Sequence, residues 1–292
     1  MIEKVVIPEQ KEGGGKDPAH IDELLKASKF DLGKPPIGND FFLKVNVEGK
    51  RYDVGGPGMI GLIVGPEKSM KTTLLKAMVA SGFKQEKVLN WEIDKEFQRV
   101  GYFDTEQPDH YFWETQSEAH YLGMQLNNLR YYDAFKMRSW GGPEERIEGI
   151  ERYCEVHEKV DMIVIDGILD LVTDFNDIKD VMRVGERILT LSDQSKALII
   201  LVVHTNAGQF GKNQSAIGHL GKYWLRKSDF IIQLKYNESD NFSTVRLKFG
   251  RSKPFPSWSF TRSSLGYPVL NHNQDVELPA ALGYQEKGDL PF

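Results

Sequence analysis

Between residues 55 and 205 the chain alternates short apolar runs with longer stretches whose apolar positions recur every three to four residues. The runs at 60–65 (IGLIVG), 99–105 (RVGYFDT), 129–135 (LRYYDAF), 162–166 (MIVID) and 198–204 (LIILVVH) have strand length. The most apolar of them lack polar alternation, as expected of strands covered on both faces. Segments 72–82, 109–125, 143–158 and 178–193 carry an apolar stripe at helical spacing. This alternation predicts an α/β fold, a mostly parallel sheet with helices on both faces. From residue 230 the pattern changes to FIIQLKYN, STVRLKFGR and SWSFTR, short tandem runs that predict C-terminal antiparallel strands. Upstream, FFLKVNVEGKRYDVGGPG (41–58) reads as a hairpin leading into the first apolar strand. Asp17-Pro18 is a helix-start signature, and the helix through about Lys29 would put Ile21, Leu24 and Leu25 on one stripe. The division that follows is an arm at 1–40, an α/β domain at 41–270 and a tail at 271–292.

At 292 residues, 40% hydrophobic and 27% charged, the chain can bury a full core in one large domain with a small appendage. A single cysteine, Cys154, excludes an internal disulfide framework and fits a reducing cytoplasm. No run of about 18 apolar residues predicts a membrane span. The opening MIEKVVIPEQKEGGGKDP has an acid at position 3 and no long apolar stretch, unlike a secretory signal. The net charge of −5 argues against coating DNA along a broad basic face and leaves a positively lined channel open.

The first apolar strand runs into GPEKSMKTT, with the phosphate-loop spacing G-x-x-x-x-G-K-[ST] except that Met70 replaces the second glycine. Gly65, Pro66, Glu67, Lys68, Ser69, Met70, Lys71, Thr72 and Thr73 are the candidate nucleotide-binding residues, because backbone N–H groups converge on phosphate at such a helix start. Lys71 would reach the β- and γ-phosphates, Thr72 would ligate Mg²⁺, and Lys68 adds a second positive charge. Met70 is expected to keep ordinary backbone angles with its flexible side chain turned outward. The blander alternative is a strand–turn–helix with chance glycine and Lys-Thr.

Asp166 ends the strand MIVID, where a carboxylate can hold the Mg²⁺ shell opposite Thr72; a turn aspartate is the alternative. The next residue is Gly167, so the acid that orients attacking water is sought in GYFDTEQPD, with Glu106 preferred and Asp104 competing. His204 and Asn206 follow a further apolar strand, where polar groups can sense the γ-phosphate or serve structure alone.

In this order GPEKSMKT, FDTEQ, VIDGILDLVTDFND and VVHTNAG resemble the RecA-like P-loop NTPase superfamily, on the side of the DnaB-type hexameric helicases and plasmid RepA-type ATPases. The resemblance covers roughly residues 55–265. Lys68–Thr72 and the GHLG segment at Gly218–Gly221 are also similar to compact AAA-family ATPases of bacterial mobile elements, in which the loop glycine is routinely absent. The resemblance implies ATP and Mg²⁺ as cofactors, and lysine, metal, base and sensor roles for Lys71, Thr72 with Asp166, Glu106 and His204. It further implies a ring, such as a hexamer, whose sites are completed by a neighbour's basic residue. In RLKFGRSKPFPSW the candidates for that trans finger are Lys248, Arg251 and Lys253, with Arg251 first and a solvated basic strand end as the alternative.

Segment 206–224 is long and rich in Gly and Asn, and in such rings this region faces DNA. Lys212, Asn213 and Gln214 are candidate phosphate contacts, with Lys222 and Arg226 in support; a subunit-interface loop is the rival. The ending YQEKGDLPF resembles the tail of bacterial single-stranded-DNA-binding proteins, which docks on replication partners. The expectation is a Mg²⁺-dependent ATPase acting on single-stranded DNA, a helicase or translocase of a phage, plasmid or mobile element. The alternatives are an ATP-binding regulatory or assembly module with little turnover, and a recombinase-like DNA-coating ATPase.

Overall fold

The structure, a computed structural model, describes residues 18–28, 41–84, 86–123, 132–205, 218–264 and 267–271. The chain divides after Gly38 into two units. Helix α1 (Pro18–Ser28) is the described part of the first, with Ile21, Leu24 and Leu25 exposed.

In the second unit, β1 (Leu43–Val47) and β2 (Lys50–Gly55) form the expected hairpin. Glu48 and Gly49 join them with φ of 51° and 79°, the doubly left-handed turn that matches the twist of paired strands. A short strand that the pattern does not predict, β4 (Trp91–Ile93), adds to β1 and completes a three-stranded sheet. Three residues are too few to show a period.

The main sheet has nine strands. They are β3 (Ile60–Gly65), β5 (Val100–Asp104), β6 (Tyr132–Lys136), β7 (Met162–Asp166), β8 (Leu198–His204), β9 (Phe230–Asn237), β10 (Phe242–Gly250), β11 (Trp258–Arg262) and β12 (Pro268–Leu270). Their order is β12-β11-β10-β9-β3-β8-β7-β5-β6. From β9 to β6 every neighbour is parallel, whereas β10, β11 and β12 are antiparallel, as expected; FIIQLKYN, expected to be antiparallel, is the joining strand β9, parallel to β3 on one side and antiparallel to β10 on the other.

Helices α2 (Lys71–Lys84), α3 (Asp109–Gly123), α4 (Pro143–Val156), α5 (Ile178–Ser195) and α6 (Gly218–Lys227) connect the strands. Two apolar cores result, one on each face. Ile63, Met162 and Val164 point to the face that holds Leu74, Leu75 and Met78 of α2. Their neighbours Leu62, Val64, Ile163 and Ile165 point to the other, where Ile150 of α4, Val184 and Ile188 of α5 and Trp224 of α6 close over them. Alternate residues of one strand thus serve different cores, and the run reads as wholly apolar for that reason. No helix among the described residues is long and apolar enough to cross a membrane.

Candidate active site

β3 lies between β8 and β9 and runs straight into the loop that starts α2. Register brings the strand ends to one edge: Gly65 pairs with His204, and Asp104 with Asp166. In open parallel sheets the crevice beyond these ends is where ligands sit. A cavity of about 480 Å³ opens there, with Lys71, Thr72, Glu106, Asp166 and His204 in its wall.

The loop is tied from within and from outside. Ser69 Oγ donates to the Pro66 carbonyl at 2.7 Å, and Ser243 Oγ of β10 donates to the Ser69 carbonyl at 2.8 Å. A Cβ at Gly65 would lie 2.6 Å from Ser69 Oγ, so only glycine fits. Met70 departs from expectation. Its φ is 61°, in the left-handed region, and its side chain packs against the α2-side core instead of turning outward. Lys68 has a φ of 60° as well. The chain reverses here to enter α2, a bend that glycine makes freely and that costs an L-residue about 1–2 kcal/mol. The loop keeps the conformation of its pattern without the residue that relieves it.

Lys71 is buried and its Nζ donates to the carbonyls of Gly65 (3.1 Å) and Pro66 (2.7 Å). Burial pushes its pKa down to about 8, against the pull of Asp166, Glu106 and Glu67. The same ammonium lies 3.2 Å from His204 Nδ1, and His204 Nε2 lies 3.2 Å from Glu106 Oε2. An ammonium has only protons to give, so Nδ1 accepts and Nε2 carries the hydrogen towards Glu106. That hydrogen bond holds the Glu106 carboxyl below its usual range, against burial, with the Lys71 charge adding.

Asp166 Oδ2 accepts from Thr72 Oγ1 at 3.0 Å and from the Tyr102 hydroxyl at 2.7 Å. Burial raises its pKa, and these two bonds oppose the rise. Gly167 follows with a φ of 110°, and a Cβ there would lie 2.2 Å from Thr105 Oγ1 and 2.9 Å from Glu106 Cγ. The space beside the β7 aspartate is filled from β5, which explains why no acid follows Asp166. Asp104, the competing base, is buried and its Oδ1 accepts from the amides of Glu106 (2.9 Å) and Gln107 (2.8 Å). Burial pushes its pKa up to about 7, opposed by the Gln107 amide bond. Its placement is that of a cap on the loop carrying Glu106.

Thr72 and Asp166 offer hard oxygen donors facing one cavity, with no closed cage of three or more His, Cys, Asp or Glu among the described residues. Few protein oxygens and an open side suit Mg²⁺, which keeps waters and phosphate oxygens in its shell.

The cavity wall also holds residues that sequence reasoning missed. Arg262, the last residue of β11, donates to Thr73 Oγ1 through Nη2 at 2.6 Å and through Nε at 3.2 Å. Beside it, the Tyr236 hydroxyl donates to Asn241 Oδ1 at 2.9 Å. The signal was present in SWSFTR, but strand direction decides which end reaches the site. Lys248 lies in the last residues of β10, and Arg251 and Lys253 follow its end, at the opposite edge of their own sheet. There Arg251 Nε donates to Asp229 Oδ1 at 2.6 Å, and Asp229 Oδ2 accepts from the Ile60 amide at the start of β3. Lys222 is exposed on α6. Lys212, Asn213, Gln214, Asn206 and the C-terminal YQEKGDLPF lie outside the described residues.

A central strand running into a phosphate-type loop, parallel neighbours that deliver acids to the same edge and an antiparallel C-terminal extension define the RecA-like P-loop fold. Among solved structures, the crystal structure of the RadB recombinase matches with a TM-score of 0.50 at 16% identity, over 72% of this chain and 90% of that one. A likeness shared with 588 solved chains fixes the fold and leaves function to the site. No protein-family model matches the sequence, and no curated protein matches it.

Proposed function

We propose that this protein is a Mg²⁺-dependent ATPase acting on DNA, the motor of a ring-forming helicase or translocase. The observation that carries the reading is the convergence of Lys71, Thr72, Asp166 and Glu106 on one cavity at the end of β3. Lys71 leaves the loop carbonyls to meet the phosphates, whose oxygens also take the loop N–H groups. Thr72 and Asp166 would hold Mg²⁺, which when bound neutralises charge on the β- and γ-phosphates. Glu106 orients the attacking water for in-line displacement, with His204 fixing its carboxylate. Arg262, Tyr236 and Asn241, which line the same cavity, are the candidates to contact the nucleoside. Arg251 of a neighbouring copy, with Lys248 and Lys253 as its alternatives, supplies positive charge in trans, and Lys222 with the segment holding Lys212, Asn213 and Gln214 contacts DNA.

A second reading is a recombinase-like filament, with which the fold shared with the RadB recombinase is compatible. Steady-state ATP hydrolysis with and without single-stranded DNA tests the first, with Lys71→Ala excluding contamination. A several-fold rise with DNA supports a DNA motor. Binding of ATP without turnover on any nucleic acid would reject it in favour of a nucleotide-controlled assembly module. Electron micrographs then separate closed rings from filaments on DNA.

A further inference from the structure

We infer that Asp104 is a second acidic anchor for the hydrated divalent cation, set beside Asp166 and holding the cation or one of its waters through Oδ2. The inference rests on the magnesium–nucleotide reading of the same cavity and adds a residue to it.

Three observations carry it. Asp104 ends β5 in register with Asp166 at the end of the adjoining β7, so the two carboxylates stand side by side at the strand-end edge. Its two oxygens are used unequally. Oδ1 is occupied by the amides of Glu106 and Gln107, whereas Oδ2 is buried without a hydrogen-bond partner among the described residues. The residue is 1% exposed, yet it lines the cavity together with Thr72 and Asp166.

A buried carboxylate oxygen without a donor is costly, and native proteins rarely leave one so. Lys68, Lys71 and Arg262 line the same cavity, but Lys71 donates to the loop carbonyls and Arg262 to Thr73, and Asp104 Oδ2 has no donor among the described residues. Asp166 stands in register beside Asp104, and a divalent cation shared by the two carboxylates supplies the missing partner. A lone buried water would supply a donor to Oδ2 without drawing on Asp166. A cap alone explains Oδ1 and leaves Oδ2 unexplained.

Mn²⁺ serves as the spectroscopic probe. The full chain loaded with ADP is titrated with Mn²⁺ and free ion is read by electron paramagnetic resonance, for the wild type, Asp104→Asn and Asp166→Asn. Asp104→Asn keeps an oxygen for the two amides and removes the charge. Its Mn²⁺ affinity is expected to fall about tenfold, the usual size of a support-shell loss, while metal-free ADP affinity stays unchanged. Wild-type Mn²⁺ affinity in Asp104→Asn, with loss in Asp166→Asn, would leave Asp104 a cap or the partner of a lone buried water and overturn the inference. Absence of an ADP-dependent Mn²⁺ site in the wild type would remove the magnesium reading itself. Should Asp104→Asn fail to fold by circular dichroism, Asp104→Ser, which retains a hydroxyl cap without the charge, gives the same two readings.

Discussion

His204 and Glu106 face each other from different strand ends, His204 Nε2 standing 3.2 Å from Glu106 Oε2. Because Nδ1 of the same ring meets Lys71 Nζ, the imidazole spans the phosphate-facing lysine and the water-facing acid. Removing it frees the acid without touching the loop N–H groups. His204→Ala is expected to lower kcat about ten- to a hundredfold, with nucleotide affinity held within about threefold. Rate and equilibrium-binding measurements separate the two quantities. A variant that loses affinity and keeps kcat would make His204 a binding residue.

The tight join between Gly167 and Glu106 leads to a second expectation. Ala at 167 meets both a left-handed φ of 110° and the side chains of Thr105 and Glu106. Gly167→Ala should therefore destabilise the fold by about 2 kcal/mol or more, and lower turnover by displacing Glu106. Urea unfolding and ATPase rates check both. A variant as stable and as active as the wild type would show that the contact yields.

Met70 supplies a test of the loop's backbone. It immediately precedes α2 and its carbonyl accepts from the Leu74 amide, a position where Gly is preferred to Ala, and a φ of 61° adds to that preference. Both Met70→Gly and Met70→Ala lose the same packing against the α2-side core. Met70→Gly should exceed Met70→Ala in stability by about 1 kcal/mol. Lys68→Gly, at an exposed position with φ of 60°, should stabilise outright by about the same amount. Thermal melts decide, and an Ala variant more stable than the Gly variant would place the loop outside the left-handed region.

How far the sequence was legible depends on what each feature needs. The strand IGLIVG and the acid ending MIVID announce themselves because a doubly covered parallel strand is uniformly apolar and must end in something polar. Thr72, Glu106 and His204 follow from the same logic of strand ends. Arg262 does not, since its arrival at the cavity follows from two successive antiparallel reversals after β9, the neighbour of β3, each invisible locally. The more basic RLKFGRSKP drew attention to Arg251, whose place at the other edge also depends on strand direction. Met70's backbone and the empty side of Asp104 are properties of conformation and burial, which residue type does not carry.

Arg251 allows the neighbour's contribution to be tested directly. Its side chain is 69% exposed and ion-paired to Asp229, so Arg251→Ala should shift stability by less than about 1 kcal/mol. If the residue acts in trans, mixing Arg251→Ala subunits with Lys71→Ala subunits restores part of the ATPase, because some sites then combine an intact loop with an intact finger. No recovery despite mixed assembly, shown by mass spectrometry, would remove Arg251 from that role and turn attention to Lys248 and Lys253.

The last expectation concerns pH. The folded-state pKa of Lys71, about 8, lies below its ordinary 10.5 because burial disfavours the ammonium. Below pH 8 both folded and unfolded chains hold the proton, and the folded chain bears the burial cost. Between 8 and 10.5 the unfolded chain holds a proton that the folded chain has released, so folding stability attributable to Lys71 rises with pH across that window. Set against Lys71→Met, which cancels the titrations that the Lys71 charge does not touch, wild-type unfolding free energy should gain about 1 kcal/mol between roughly pH 7 and 9. ADP should flatten this slope, since bound phosphate gives the ammonium a partner and restores its proton. A slope that persists unchanged with saturating ADP would mean that Lys71 stays on the carbonyls of Gly65 and Pro66, and does not move to the phosphates.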